Sequence, residues 1–269
     1  MTPLRLGLVG TDIGHSLSPA LHAQFLRASD LSGSYCLLPA TTDAQALRWF
    51  DLLLRGVFAG LNVTTPFKGL AAQWAGHSGA LNTLWTVGDQ QCGACTDGAG
   101  LLAALNAPVR GRVVVVLGSG GAALACAQAL VAAEARVVVS GRNGPATAQV
   151  AAQTGAAAAQ WGDASAVATA SLVVHVCRFG HGQHGPVADA AAWSWLPWSA
   201  WRAQGTRVFD AVYCQQGPTW FEQLALGHGL QVDQGGGLQM LAAQAAFAFA
   251  LWTQCQPDGR RALQALGGQ

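Results

Sequence analysis

The chain has 269 residues, 51% of them apolar and 10% charged. That is enough for two domains with large cores and thinly charged surfaces, and it is far from the composition of a disordered chain. A net charge of +1, without runs of like charge, excludes nucleic acid and anionic membranes as electrostatic partners. No stretch approaches 18 uninterrupted apolar residues, so no membrane span is expected. The seven cysteines are scattered and read as reduced, buried thiols of a cytoplasmic protein, with Cys36 and Cys126 as examples. Cys92 and Cys95 lack a second pair and read as part of a hairpin arm, so no metal site is expected.

Short apolar runs alternate with segments of helical period, the pattern of an α/β protein built on parallel strands. Residues 4–9 read as a first strand rather than a leader peptide. Pro19 opens a helix through about Ala28, proline being favoured in a first turn. Residues 35–38 form a second strand. Thr42 and Gln45 have capping-box spacing, predicting a helix to about Leu54. A third strand covers 60–64, with Pro66 at a helix start. Residues 83–87, the pair Gly88-Asp89, and a returning arm to Cys95 predict a hairpin. Asp97 then begins a helix through Leu105.

A second unit follows the 108–111 linker. Residues 113–117 carry four valines without polar alternation, as in a strand buried on both faces. A helix over 122–133 and a strand over 136–140 complete a βαβ unit, and 172–176 and 207–211 add strands. Between those two lie Trp193, Trp195, Trp198 and Trp201, which read as core or lid packing or as the lining of a ligand or partner site. The apolar stretch 237–252 predicts a largely buried helix. The single compositional bias is an alanine run at 156–159.

The chemistry-bearing residues begin with Gly118, Ser119, Gly120, Gly121 and Ala122, a turn directly between a buried strand and a helix. It fits G-x-G-x-x-A with Ala123. Such glycines let a pyrophosphate approach the backbone, where N–H groups at the helix N-terminus meet its charge. The next strand ends at Arg142 and offers no Asp or Glu for a ribose 2′-hydroxyl. A guanidinium suits the 2′-phosphate of NADP. Lys68 is the only lysine among 14 basic residues. An ammonium exchanges protons where a guanidinium cannot, so a sole lysine in an arginine-rich chain points to proton transfer.

Seven ordered motifs resemble those of shikimate dehydrogenases. They are Gly14-His15-Ser16-Leu17-Ser18-Pro19, Asn62-Val63-Thr64-Thr65-Pro66-Phe67-Lys68, Gly79-Ala80-Leu81-Asn82-Thr83 and Thr96-Asp97-Gly98-Ala99-Gly100, then the glycine turn, Asp210 with Tyr213, and the run from Gly237 to Ala245. The resemblance implies two α/β domains with a cleft between them. Residues 1–103 would form the substrate-binding catalytic domain, 104–233 a Rossmann-like NADP domain, and 234–269 helices returning to the substrate domain. It implies Lys68 and Asp97 as the catalytic pair. Ser16, Ser18 and Tyr213 would hold the substrate carboxylate, and Thr64, Asn82 and Gln244 the ring hydroxyls. Gly237 would border NADP with the glycine turn.

The implied activity is NADP-dependent interconversion of shikimate and 3-dehydroshikimate, within aromatic amino acid biosynthesis (the chorismate pathway), by a cytoplasmic monomer or homodimer. Its partner is a small ring acid. Some positions depart from the family pattern. Cys95 stands where an asparagine is usual, the stretch from Lys68 to Asn82 is short, and His175, Val176, Cys177 and Arg178 replace a segment that borders the nicotinamide. A paralogue acting on quinate or another cyclic hydroxy acid, or a ligand-binding homologue without turnover, would also carry these departures.

Overall fold

The computed structural model describes residues 3–105, 107–177 and 191–267, and Arg178 lies outside them. They form two compact α/β units, one of Met1–Gly100 with Leu241–Gln269 and one of Leu101–Met240.

The first unit holds strands β1 (Leu4–Gly10), β2 (Gly33–Pro39), β3 (Gly60–Val63), β4 (Thr83–Val87) and β5 (Gln90–Ala94), and helices α1 (Ser18–Ala28), α2 (Asp43–Leu54) and α3 (Lys68–Trp74). The sheet order is β2-β1-β3-β4-β5. β1 runs parallel to β2 and β3, whereas the β4–β5 hairpin is antiparallel. One face packs Phe50, Leu53, Leu61 and Phe67 into a core.

Four expectations change here. The Thr42 side chain accepts from Gln45 N at 3.3 Å, but Gln45 Oε1 turns back to Thr41 N at 2.7 Å, so the reciprocal half of the cap lands one residue early. α3 starts at Lys68 rather than Pro66, because a turn of 64–67 precedes it, closed by Phe67 N donating to Thr64 O. β3 accordingly ends at Val63. Of the cysteines expected to be buried, Cys126 is, but Cys36 and Cys214 are exposed and the rest half-buried; Cys36 is exposed since β2 is the sheet's edge strand and alternates its side chains.

The second unit's sheet contains β6 (Val113–Leu117), β7 (Arg136–Gly141), β8 (Ala157–Gln160), β9 (Leu172–His175), β10 (Arg207–Asp210) and β11 (Gln231–Val232). All run parallel in the order β11-β10-β9-β6-β7-β8. Counted from β6, this is the 3-2-1-4-5-6 order of doubly wound dinucleotide-binding sheets. The valine run serves both faces: Val114 and Val116 join one core, while Val115 and Leu117 join the other. The alanine run is β8, an edge strand registered against β7, where small side chains suffice.

Connecting helices are α5 (Gly121–Ala132), α6 (Gly144–Thr154), α7 (Ala164–Val167), α8 (Trp198–Gln204) and α9 (Trp220–Gly227). Trp193 and Trp201 are fully buried in the second core, so the tryptophan-rich segment is packing. α4 (Asp97–Ala104) and α10 (Gly236–Thr253) each begin in one unit and end in the other, and α11 (Gly259–Gly267) closes the described chain. No described helix is long and apolar enough to cross a membrane.

Candidate active site

In the first unit, Lys68 begins α3 and Asp97 begins α4. A carboxylate in a first helical turn faces the positive end of the helix dipole. Lys68 Nζ donates to Asp97 Oδ2 with side chains 14% and 5% exposed, a mostly buried ion pair.

Asn82, 4% exposed, is the hub that positions it. Its Nδ2 donates to Asp97 Oδ1 at 2.9 Å, Thr96 Oγ1 at 3.0 Å and Gln244 Oε1 at 3.0 Å. Its Oδ1 accepts from Thr96 N at 2.8 Å and Thr83 Oγ1 at 3.0 Å. Strand pairing brings these groups together: Thr83 lies opposite Ala94 and Asn82 N donates to Ala94 O at 3.2 Å, so the Asn82 side chain reaches Thr96 just past the end of β5. Gln244 arrives from α10. Thr64 follows β3, its N–H held by Val9 O at 2.9 Å. A Cβ on Gly10 would lie 2.3 Å from Thr64 Cγ2, so glycine makes room for that side chain.

Cys95 fills the position beside the pair. Its Sγ lies 3.7 Å from Asp97 Oδ2. Burial first, and then the Asp97 charge, push the thiol up to about 12 against the opposing pull of Lys68. It is an inert, space-filling thiol, since the reactive form is the thiolate.

Ser16 and Ser18 meet where the loop enters α1. Ser16 Oγ donates to Ser18 Oγ at 3.1 Å, and Ser18 N donates to Ser16 Oγ at 3.2 Å. Beneath them lies a buried layer that the sequence reading did not single out. Tyr35 OH donates to Asn62 Oδ1 at 2.8 Å, and Asn62 Nδ2 donates to Asn82 O at 3.0 Å. The Tyr35 ring stacks on His22 at 4.0 Å, and His22 Nδ1 donates to Ser18 O at 2.9 Å. Burial holds His22 neutral, lowering it to about 4. Burial also raises the Tyr35 phenol, against a hydrogen bond from Ser18. The serines and the Lys68–Asp97 pair therefore share one polar scaffold within the unit. Two signals pointed to it: Asn62 and Thr96 lie inside the motifs quoted above, and Tyr35 is one of only two tyrosines.

In the second unit, β6 leads into Gly118, whose φ is +142°, with Val176 Cγ2 2.7 Å from where a Cβ would stand. Only glycine fits that backbone and that space. Gly120 caps α5 without a side-chain hydrogen bond, so the cap leaves the first-turn N–H groups to a ligand. Ser119 lies against Gly141, whose Cβ would sit 2.8 Å from Ser119 Oγ. Arg142 is exposed just past β7, and Asn143 Oδ1 caps α6 by accepting from Ala146 N at 3.1 Å. Gly237 abuts the loop after β10, where a Cβ would stand 2.1 Å from Val212 O. Tyr213 lies near the start of that same loop, which runs over 211–219. A bare helix N-terminus at the sheet's switch point, with an arginine beside it, fits a phosphorylated dinucleotide. Among the described residues no group of three or more His, Cys, Asp or Glu side chains is placed to hold a metal.

A doubly wound unit with a glycine turn, together with a unit holding a buried lysine–aspartate pair, is the make-up of a dinucleotide-binding oxidoreductase. Residues 8–84 match the Shikimate dehydrogenase substrate binding domain, and 237–266 the Shikimate 5'-dehydrogenase C-terminal domain. Shikimate dehydrogenase (NADP(+)) of Thermus thermophilus is 36% identical over 95% of this chain and 94% of its own. The protein of that name from an Exiguobacterium species is 30% identical over 98% and 99%. A crystal structure of the Thermus thermophilus enzyme with NADP(H) and shikimate matches at a TM-score of 0.79 and 34% identity, covering 97% of this chain and 98% of that one. The chain belongs to the shikimate dehydrogenase family.

Proposed function

We propose that the protein is an NADP-dependent shikimate dehydrogenase of aromatic amino acid biosynthesis, working in the cytoplasm as a monomer or homodimer. The carrying observation is the Lys68–Asp97 pair, heading two helices and tied through Asn82 to Gln244. Ser16, Ser18 and Tyr213 are assigned to the substrate carboxylate, since hydroxyls donate well to a charged acceptor. Thr64, Asn82 and Gln244 are assigned to the ring hydroxyls. Gly118, Ser119, Gly120, Gly121 and Ala122 would hold the NADP pyrophosphate, Arg142 the 2′-phosphate, and Gly237 the far end of the cofactor.

Held by the 118–122 turn and Arg142, NADP would supply the hydride acceptor for C3 of shikimate, and NADPH the donor for 3-dehydroshikimate. The chain's own residues manage the proton. As the neutral amine, Lys68 Nζ takes the proton of the C3 hydroxyl as the carbonyl forms, and as the ammonium it gives that proton back in the reverse direction. Asp97 holds the lysine and accepts from a neighbouring hydroxyl. Asn82, locked by Thr83 and Thr96, keeps the Asp97 carboxylate facing the lysine.

The test is steady-state turnover of purified protein with shikimate and with quinate, each with NADP and with NAD. Shikimate with NADP should give the highest kcat/KM. One observation favours a second reading, in which the ring acid differs: the inert Cys95 thiol occupies a position beside Asp97 where a polar side chain could meet a ring hydroxyl. Higher kcat/KM with quinate would select that reading.

A further inference from the structure

The second unit buries a polar network that the reaction scheme leaves without a task. His175 ends β9 and Asp210 ends β10, opposite each other in the parallel register. Their side chains are 0% and 1% exposed, and His175 Nδ1 lies 2.8 Å from Asp210 Oδ1. A carboxylate only accepts here, so Nδ1 carries the hydrogen.

Asp210 Oδ1 also takes the Val212 N–H at 3.0 Å, an Asx-type turn that bends the chain immediately after β10. Its Oδ2 takes the Thr219 hydroxyl at 2.5 Å. Thr219 and Glu222 form a full capping box at the start of α9, and Glu222 Oε1 reaches on to Gly235 N at 3.2 Å. The backbone joins in, because Ala211 N donates to His175 O at 2.8 Å. Two separated segments, 211–213 at the start of the loop after β10 and 233–237 at the entry to α10, are thus gripped from below by one buried cluster. Gly237 closes it by packing against Val212 O.

The place of this cluster in the sheet gives it a role. A doubly wound sheet binds the two halves of a dinucleotide beyond the carboxyl ends of its two strand sets. Arg142, at the end of β7, marks the adenosine side. β9 and β10 lie across the switch point from β7 and end at the same carboxyl edge. Segments 211–213 and 233–237 therefore stand on the nicotinamide side.

We propose that His175 is a positioning residue for the nicotinamide half of NADP, acting through Asp210 to hold the 211–213 loop and Gly237 in place. The inference rests on the assignment of NADP to this unit. A buried carboxylate beside a second acid needs a charged or strongly donating partner; His175 supplies it at Oδ1, while Oδ2 takes the neutral Thr219 hydroxyl. Burial opposes a charge on His175, but the Asp210 charge and hydrogen bond, with Cys177, outweigh it and raise the imidazole to about 10. The neighbouring Glu222 is pushed upward by burial and by Asp210.

The test compares the affinity of the full cofactor with that of its adenosine fragment, in the absence of substrate. Calorimetric titrations with NADP and with adenosine 2′,5′-bisphosphate are run on the wild type, His175→Leu, His175→Gln and Thr219→Val. His175→Leu should weaken NADP about tenfold, the loss expected for one hydrogen bond to a charged group, and leave the fragment within about twofold. His175→Gln, which can still donate to Asp210, should recover most of that affinity. Thr219→Val cuts the same network at the other Asp210 oxygen and should repeat the selective loss should His175→Leu not fold. Equal weakening of both ligands, or of neither, in folded Thr219→Val or His175→Leu overturns the inference, as does a His175→Gln variant that loses NADP affinity without any recovery. If the fragment and NADP both fail to bind the wild type, the assignment of NADP to this unit falls, and the inference with it.

Discussion

Replacing Lys68 by methionine keeps the aliphatic stem and removes the one side-chain ammonium of the chain. Asp97 would then keep Asn82 Nδ2 on one oxygen at 2.9 Å and only the Cys95 thiol at 3.7 Å on the other. With one oxygen still well paired, the cost is about 1–3 kcal/mol rather than the roughly 3–5 kcal/mol of a wholly stranded buried charge. That lowers the melting temperature by several degrees without unfolding the protein at 25 °C. Turnover should fall much further, by about 10²–10⁴-fold, the span of a lost general acid–base group. KM for shikimate should change far less, because the serines, Tyr213 and Gln244 remain. Lys68→Arg should be nearly as damaging, since guanidinium keeps its proton at any working pH. Asp97→Asn should impair both turnover and binding, and the double variant should be less impaired than the product of the two singles. The assay is turnover per folded molecule alongside thermal unfolding of the same preparation. A lowered melting temperature with near-normal turnover would refute the proton-transfer role.

Arg142→Ala should weaken NADP tenfold or more, from loss of about 1.5–3 kcal/mol of charge-assisted hydrogen bonding, and leave NAD almost unchanged; a wild type that uses NAD equally well removes the basis for this. Ser18→Ala should raise KM for shikimate and spare NADP affinity, and a decarboxylated analogue that binds as well as shikimate contradicts the serine assignment. Gly237→Ala drives a methyl to 2.1 Å from Val212 O and should cost roughly 1–3 kcal/mol of stability. Unchanged melting would show that this close approach is not real. Stability should also vary with pH on two limbs. His175 is raised from 6.5 to about 10 among Asp210, Glu222 and Cys177, so its contribution is full below about pH 6.5 and is lost as pH rises through about 10. His22, lowered by burial to about 4, contributes fully above about pH 6.5 and is lost as pH falls through about 4. Melting temperature against pH should show His175→Gln flattening the alkaline limb alone; an unchanged alkaline slope speaks against the buried pair.

Much of this was legible in the residue pattern. The valine run, the glycine turn and the hairpin each carry a local signal, and the strands and helices they announced are present with ends shifted by a residue or two. β8 escaped because alanine has weak strand preference, and its partner β7, distant in sequence, supplies the reason for it. Cys36 misled because local apolar context does not reveal an edge strand. The Lys68–Asp97 pair was reached by the rarity of lysine and by motif resemblance, whereas Asn82 as hub could not be. Its importance lies in contacts to Thr96, Asp97 and Gln244, the last 162 positions away. Tyr35, His22 and the His175–Asp210 cluster share that trait: their partners are set by strand register, which a single sequence does not display.

The tryptophans have an optical consequence. Six of the ten, Trp161, Trp193, Trp195, Trp198, Trp201 and Trp220, belong to the second unit, several with ring centroids 4.9–6.4 Å apart. With most of the indoles there, intrinsic emission samples the second unit more heavily than the first. The first unit is reported by Trp49, Trp74, Trp85 and Trp252, the last fastened to Leu84 O at 3.1 Å. Emission spectra are therefore the natural readout for His175 and Arg142 variants, and circular dichroism for those at Lys68 and Asp97. Where the two signals part company on heating, the units do not unfold in a single step.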